Sequence, residues 1–240
     1  MFSYKLLSAG LAKHGGTLLI GLTLSAWACT ADADVIFNQP PLDGGIAYQS
    51  NWGGGSQYAD NFSFTSESTL QSIQWWGSYL TPGDDDFKIR IFSGASGPEV
   101  NPLAEYTSLS ITRNNTSLFD SGGSSVFNYE LVLPATLTLQ AGTYYLSVIN
   151  NEDFSGVNNN NPSDWLWLQS STGGQNDWFR ITDGDNWSAD VVQGRPGFSF
   201  TLNGIQQQQQ PIPEPTILSL IALGALVMKG KQIVQLRRSM

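Results

Sequence analysis

Between residues 35 and 204, short apolar or alternating runs are separated by clusters of Gly, Asn, Asp, Ser and Pro. In the run FKIRI, Phe87, Ile89 and Ile91 would share one face of a strand, with Lys88 and Arg90 on the other. The same period of two recurs at 128–133 and 198–203, and no 3.6-residue period is sustained. This pattern predicts an all-β domain over residues 34–205, a single antiparallel β-sandwich of jelly-roll kind with about ten strands.

The remaining predicted strands are shorter or less regular. They cover residues 59–64, 69–80, 103–111, 137–139, 143–150, 165–170 and 178–181. No internal repeat is evident, which argues against a propeller or a solenoid.

The first 33 residues have the composition of a secretory signal. Lys5 and Lys13 precede the apolar run GGTLLIGLTLSAW at 15–27, and Ala31-Asp32-Ala33 is of the small-x-small type that signal peptidase cuts. The run is shorter than the roughly 20 residues that a spanning helix needs. We therefore predict a cleaved signal helix at 1–33, with a membrane anchor or a lipoprotein attached through Cys29 as alternatives.

Export would leave a domain without cysteine or histidine. Cys29 is the only cysteine and His14 the only histidine, and both lie in the predicted signal. Their loss excludes an internal disulfide, Cys/His metal sites and nucleophiles that depend on an imidazole or a thiol.

The same removal makes the charge strongly negative. Five basic and 19 acidic residues remain between Asp34 and Pro215, for a net charge of about −14. Such a surface repels nucleic acid and anionic membranes, so we expect no nucleic-acid partner. Neutral ligands such as sugars, and Ca²⁺, remain compatible with it.

The C-terminal residues read as a linker followed by a membrane-holding tail. Residues 206–215 have the sequence QQQQQPIPEP. They are rich in Gln and Pro and contain little that could pack in a core, which is typical of a linker. Residues 216–228 are mostly apolar, and extending the helix to residue 236 gives about 31 Å, enough to span the hydrocarbon core. The basic end at Arg237 and Arg238 would stay cytoplasmic and leave the domain outside.

The order Pro213-Glu214-Pro215, apolar helix and the pair Arg237-Arg238 resembles the PEP-CTERM sorting signal of exosortase substrates. Lys229 and Lys231 interrupt the apolar run earlier than that pattern usually allows. The resemblance implies that an exosortase in the bacterial inner membrane cuts near Pro215 and delivers the domain to the cell surface or extracellular matrix. A plain single-pass anchor is the alternative.

Four segments of the middle region also resemble a recurring domain of exported bacterial surface proteins. They are ADNFSF at 59–64, IQWWGSYL at 73–80, DDFKIRIFSG at 85–94 and AGTYYLSVIN at 141–150. This second resemblance implies a fold and a location, and it carries no assigned catalytic residues.

Tryptophans are the candidate ligand-binding residues. Adjacent strand residues face opposite ways, so if Trp75 packs in the core then Trp76 points outward, or the reverse. Outward aromatic rings hold sugars through the apolar C–H face while polar neighbours take the hydroxyls. Trp165 and Trp167 are the other two candidates for polysaccharide binding, with core packing as the alternative for all four.

Two acidic clusters are candidate Ca²⁺ sites, with solvated turns as the alternative. Asp183 and Asp185 offer oxygen ligands at alternating positions, but Trp187 stands where an EF-hand places a third ligand. Asp84 and Asp86 belong to a run of three aspartates after Pro82-Gly83. No other cofactor is indicated.

No catalytic residues stand out in this sequence. Sequence spacing does not show which carboxylates face each other, and Lys88 lies in an alternating strand. We expect a non-enzymatic surface or matrix protein, with a secreted glycoside hydrolase that uses a carboxylate pair as the alternative.

Exosortase processing predicts the C-terminal mass of the protein recovered outside the cell. We expect a chain that ends near Pro215, and mass spectrometry of the extracellular fraction measures this. Recovery of chains with an intact Met240 in the membrane fraction would contradict processing and support the plain anchor.

Overall fold

The structure, a computed structural model, describes residues 33–52, 56–80, 83–107, 110–151, 164–173, 177–190 and 196–207. All of them belong to the second of two compact units of the chain, Asp32–Met240. The described residues form strands, and they include no helix that is long and apolar enough to cross a membrane. The predicted signal helix, nearly all of the linker and the tail, with Pro213, Glu214, Pro215, Arg237 and Arg238, lie outside the described residues.

Thirteen strands are present in the described ranges. They are β1 (Asp34–Gln39), β2 (Ala47–Gln49), β3 (Gln57–Phe64), β4 (Ser68–Tyr79), β5 (Phe87–Ser93), β6 (Ala104–Tyr106), β7 (Thr112–Phe119), β8 (Ser125–Leu139), β9 (Gly142–Asn150), β10 (Trp165–Leu168), β11 (Trp178–Arg180), β12 (Ser188–Ala189) and β13 (Phe200–Gln206).

The first sheet has seven strands arranged around β4. One edge of β4 pairs with β8, and the other edge is shared by β13 and then β10. Strand β1 continues the sheet beyond β13, β2 beyond β10 and β7 beyond β8, and all these pairings are antiparallel. Strand β4 is therefore the element on which the other strands of this sheet are aligned.

The second sheet has six strands in the order β12-β11-β3-β9-β5-β6, again with antiparallel pairing. Each sheet contributes one apolar face to a shared core. The prediction of an all-β fold with two antiparallel sheets, consistent with a β-sandwich, is confirmed. The alternation at Phe87, Ile89 and Ile91 is confirmed as well, because all three side chains are buried.

Aromatic side chains fill much of the core. The Phe87 ring meets the edge or face of three others, with centroid distances of 5.4 Å to Trp75, 4.9 Å to Tyr129 and 5.0 Å to Trp165. Gly77 on β4 makes room for this packing, since a Cβ there would lie 2.6 Å from the Trp165 ring. Large rings thus bridge the sheets where smaller side chains would leave voids.

Strand prediction failed mainly at polar or very short segments. The strand predicted at 103–111 is only β6, and the next strand, β7, begins at Thr112. Strand β7 has the sequence TRNNTSLF and is mostly exposed because it lies at the edge of its sheet, so it carries little apolar alternation. Strands β1, β2 and β12 were likewise missed.

The core position of Trp75 predicts a large difference from its neighbour Trp76. Trp75→Ala should lower the free energy of unfolding by about 3–5 kcal/mol, because it opens a cavity among buried rings. Trp76→Ala should cost about 1 kcal/mol or less, since this side chain is only partly buried. Urea unfolding of the full chain compares the two, and equal losses would contradict the assignment of faces.

Candidate functional site

Three of the four tryptophans predicted to bind ligand lie in the core instead. Trp75, Trp165 and Trp167 have no exposed side-chain surface. Trp167 stacks on Phe198 at 4.6 Å, and its indole N–H donates to the carbonyl of Ser199. The sequence suggested them as ligand-binding residues because of their large aromatic side chains. The core of a β-sandwich uses such side chains as much as a binding face does. In this structure they have no surface on which a sugar could stack.

Trp76 is the exception and lies on the outer face of the seven-stranded sheet. Its neighbour Trp75 points into the core, so the strand alternation turns Trp76 away from the core, where it remains partly exposed. This confirms the conditional expectation that one of the two rings faces outward.

Polar side chains surround Trp76 in two rows that cross the sheet. We call these residues the outer-face ladder. The first row crosses five strands, and the second joins Trp76 to the strands on one side of it. The ladder consists of Asn38, Thr201, Gln74, Glu130 and Thr112 in the first row and Trp76, Asn128 and Asn114 in the second.

The ladder is rich in amides and hydroxyls and nearly free of charge. Glu130 is its only charged member, in a domain that is otherwise strongly acidic. Within it, Oγ1 of the buried Thr201 donates to Asn38 Oδ1 at 2.7 Å, which fixes the orientation of the exposed Asn38 amide. The amide nitrogen of Asn128, directly across from Trp76, has no hydrogen-bond partner in the part of the chain that the structure describes.

A hairpin turn closes one end of the ladder. Ser78, two residues beyond Trp76 on the same face, is fully buried and donates to Asp120 Oδ2 at 2.6 Å. Asp120 in turn accepts from the backbone N–H groups of Gly122 and Ser124, which shapes the β7–β8 turn. Trp76 therefore lies where the open face of the sheet meets a covering turn.

The outer face of the six-stranded sheet is different, because side chains of residues 177–190, which include its edge strands β11 and β12, pack over part of it. Trp187 packs edge-on against Phe92 at 5.2 Å, and Trp178 lies against Tyr145. These contacts form a second apolar cluster with Ala59. We call residues 177–190 the covering segment.

An ion-paired network joins the covering segment to the sheet. Arg90, only 2% exposed, is paired with Asp183 of this segment through both terminal guanidinium nitrogens and with Glu105 on β6. Arg180 donates to Asp183 at 2.9 Å and to Gln57 at 2.9 Å. The alternation placed Arg90 on the outer face correctly, but the covering segment buries it there.

Lys88 lies at the open side of this network. Its Nζ is 3.7 Å from the centre of the Trp52 ring, a cation–π contact. Burial and then the charge of Arg90 lower the pKa of Lys88. The geometry assigns Lys88 to packing on Trp52.

The acidic residues predicted to bind Ca²⁺ have other partners. Asp183 is held by two arginines, and Asp185 Oδ2 accepts from the backbone N–H and the hydroxyl of Thr182 and so closes a turn. Although burial raises the pKa of Asp183, the hydrogen bonds and charge of Arg90 outweigh it and hold that pKa below the usual value. A carboxylate already neutralised by arginine is a poor cation ligand.

The aspartate run at 84–86 anchors a loop. The Asp84 carbonyl accepts from the Tyr79 hydroxyl and from Asn150, while Asp85 accepts from Tyr79 and Arg113. Asp86 accepts from Asn151 at 3.2 Å. Over the described ranges, no three Asp, Glu, His or Cys side chains are grouped as a metal site would group them, and Ca²⁺ at Asp84 and Asp86 stays a prediction.

Comparison with known proteins gives no relative. No protein-family model, no curated protein and no solved structure matches this chain significantly.

The Asp183 network predicts a measurable loss of stability. Asp183→Asn should lower the free energy of unfolding by about 2 kcal/mol at pH 7, less than for a fully buried pair because Asp183 is 35% exposed. The pKa of Asp183 is depressed, so its contribution is present above the unfolded-state pKa of about 4 and is lost as the pH falls through the lower folded-state value.

Urea unfolding at a series of pH values tests this. The difference between wild type and Asp183→Asn should shrink as the pH falls below about 4. Asp86→Asn, which removes an exposed carboxylate, serves as the matched control and should change little. Identical stability of wild type and Asp183→Asn at pH 7 would contradict the network.

Proposed function

We propose that this chain is an exported, non-enzymatic protein of the cell surface or extracellular matrix, and that its outer-face ladder binds a neutral polysaccharide. The observation that carries the binding proposal is the position of Trp76, partly exposed within a nearly uncharged array of amides and hydroxyls. An indole face can take the apolar face of a sugar ring, and the neighbouring amides can take its hydroxyls.

Charge supports a neutral ligand over an anionic one. The domain between the predicted cleavage points carries about −14, so an acidic polymer would be repelled over most of the surface. The ladder itself bears one carboxylate, Glu130, and no cation. A neutral polymer meets no electrostatic penalty here.

The export half of the proposal rests on the sequence of the two ends. We propose that signal peptidase removes residues 1–33 and that the tail at 216–240 then holds the chain in the inner membrane. An exosortase would act at Pro213-Glu214-Pro215, with Arg237 and Arg238 as the basic end of its recognition signal. The domain in between is proposed to be a jelly-roll sandwich displayed outside the cell. Its ligand would then be a polymer that the producing cell itself exports.

Binding is tested with the full chain in mild detergent and the polysaccharide purified from the producing cell. Trp76→Ala should weaken binding at least tenfold, because it removes the stacking surface, and Gln74→Ala should weaken it less. Trp52→Ala is the matched control, since this partly exposed ring lies on the other sheet beside Lys88.

Affinity electrophoresis or calorimetry measures these changes. Failure of the wild-type chain to bind any neutral polysaccharide would remove the binding proposal and leave a structural matrix role. Release of reducing sugar that disappears when one Asp or Glu is replaced would instead identify a glycoside hydrolase.

A further inference from the structure

A groove opens at the edge of the sandwich, where β1 of the seven-stranded sheet approaches β3 of the six-stranded sheet. Its volume is about 260 Å³, close to the lower end of the roughly 300–1,000 Å³ that small-molecule pockets have. The residues that line it are 37–39 of β1, Asn61 and Phe62 of β3, and Thr172 and Gly173 after β10. The sequence singled out none of these residues as a site.

The lining of the groove combines phenyl rings with uncharged polar groups. The rings of Phe37 and Phe62 lie 5.9 Å apart between centroids and form its apolar part. The polar part consists of three amide residues and the hydroxyl residue Thr172, and none of the described lining residues is charged. In a domain that carries about −14, this composition suits a neutral ligand with both apolar C–H surface and hydroxyl groups, as a sugar ring has.

The Gln39 side chain contributes an acceptor that has no partner. The residue is 4% exposed, and its Nε2 donates to the carbonyl of Asn61 at 3.3 Å and also to the carboxylate of Asp60. These two acceptors fix the orientation of the amide, because turning it over would set Oε1 against both of them. Oε1 has no hydrogen-bond partner among the described residues. A buried carbonyl oxygen left in this way costs stability, which a donor on a ligand would recover.

Gly173 keeps the space beside this oxygen free of side-chain atoms. A Cβ at position 173 would lie 2.6 Å from Gln39 Oε1. The backbone of Gly173 has a φ of 114°, which glycine adopts much more readily than other residues. A larger residue here would therefore be strained and would close the approach to the Gln39 oxygen.

Asn38 connects the groove with the outer-face ladder. It is the member of the first row that lies on β1, the strand at the edge of the sheet, and it also lines the groove. Its Oδ1 accepts from Thr201, so its amide nitrogen is not used in that bond. A polymer that follows the first row of the ladder across β1 would therefore arrive at the groove.

We propose that this groove is a second subsite of the proposed polysaccharide site and holds one neutral sugar ring of the same polymer. One ring hydroxyl donates to Gln39 Oε1, Thr172 and Asn38 bind further hydroxyls at the rim, and Phe37 takes the apolar face of the ring. This inference rests on the proposed function, because it requires the polymer that lies on the ladder.

Variants of the groove test the subsite with the full chain in mild detergent and the neutral polysaccharide purified from the producing cell. Gln39→Met keeps the length of the side chain, removes the acceptor and should weaken binding at least tenfold. Thr172→Val keeps the shape, removes only the hydroxyl of an exposed residue and should weaken binding about two- to tenfold, as loss of one hydrogen bond does. Thr65→Val, the same change at an exposed threonine outside the groove, is the matched control and should bind as the wild type does.

Hydrogen exchange followed by mass spectrometry locates the bound sugar. Disaccharides obtained by acid hydrolysis of the same polysaccharide should slow exchange in the peptides that contain residues 37–39 and 172–173. They should do so in Trp76→Ala as well as in the wild type, because Trp76 is not one of the residues that line the groove.

The outcomes separate the groove from the ladder. Wild-type affinity in Gln39→Met and Thr172→Val, beside weakened binding in Trp76→Ala, would overturn the subsite and leave the proposed function. A wild-type chain that neither retains the polymer nor shows slower exchange with the disaccharides would overturn both. Slower exchange at the groove in a chain that does not retain the polymer would support the groove as a sugar site and remove the ladder.

Discussion

Aromatic packing between the two sheets is the interaction on which the rest of the structure depends. The predicted exported domain has no cysteine, so no disulfide can hold its sheets together. Rings from both sheets meet instead, with Trp75 and Tyr129 stacked at 5.6 Å and Phe87 inserted against them. Their burial removes a large apolar area from water and fixes which face of each strand is inward.

Once the inward faces are fixed, the outward ones follow, but the two sheets use them differently. The six-stranded sheet turns Phe92 and Tyr145 outward, and those apolar residues need the covering segment with Trp178 and Trp187. Arg90 is buried with them and is compensated by Asp183 and Glu105. The seven-stranded sheet presents amides and hydroxyls around Trp76, which need no cover. Among the described residues, it is therefore this sheet that keeps an uncovered, nearly neutral surface around Trp76.

Position, and not residue type, separates binding candidates from structural residues in this chain. Trp75 and Trp76 are adjacent and chemically identical, yet one fills the core and the other reaches the surface. The acidic residues divide in the same manner. The conspicuous pairs Asp183/Asp185 and Asp84/Asp86 make turn and ion-pair contacts, while the inconspicuous Asp60 is fully buried and accepts from the backbone N–H groups of Asn61 and Phe198.

The sequence by itself determined the fold class and the facing of the main strands. A strand with an apolar residue at every second position has one apolar face, whatever it packs against. The shared face of Phe87, Ile89 and Ile91 and the opposite directions of Trp75 and Trp76 could therefore be derived from the local sequence. The sequences of the two ends also carry the whole export proposal. Polar edge strands such as β7 escaped prediction because their pairing depends on the neighbouring strand and not on an apolar pattern.

Only the tertiary structure decided which of the two rings reaches the surface, that Arg90 is buried, and that Asp60 accepts from the backbone of Phe198. Each of these outcomes depends on contacts between residues far apart in the chain, such as Asp60 with Phe198 or Arg90 with Asp183. Local alternation sets the direction of a side chain, but the element that packs over it determines its solvent exposure and its charge balance. The fold class could therefore be predicted from the sequence, whereas the candidate sites could be located only once the packing of the strands and loops was known.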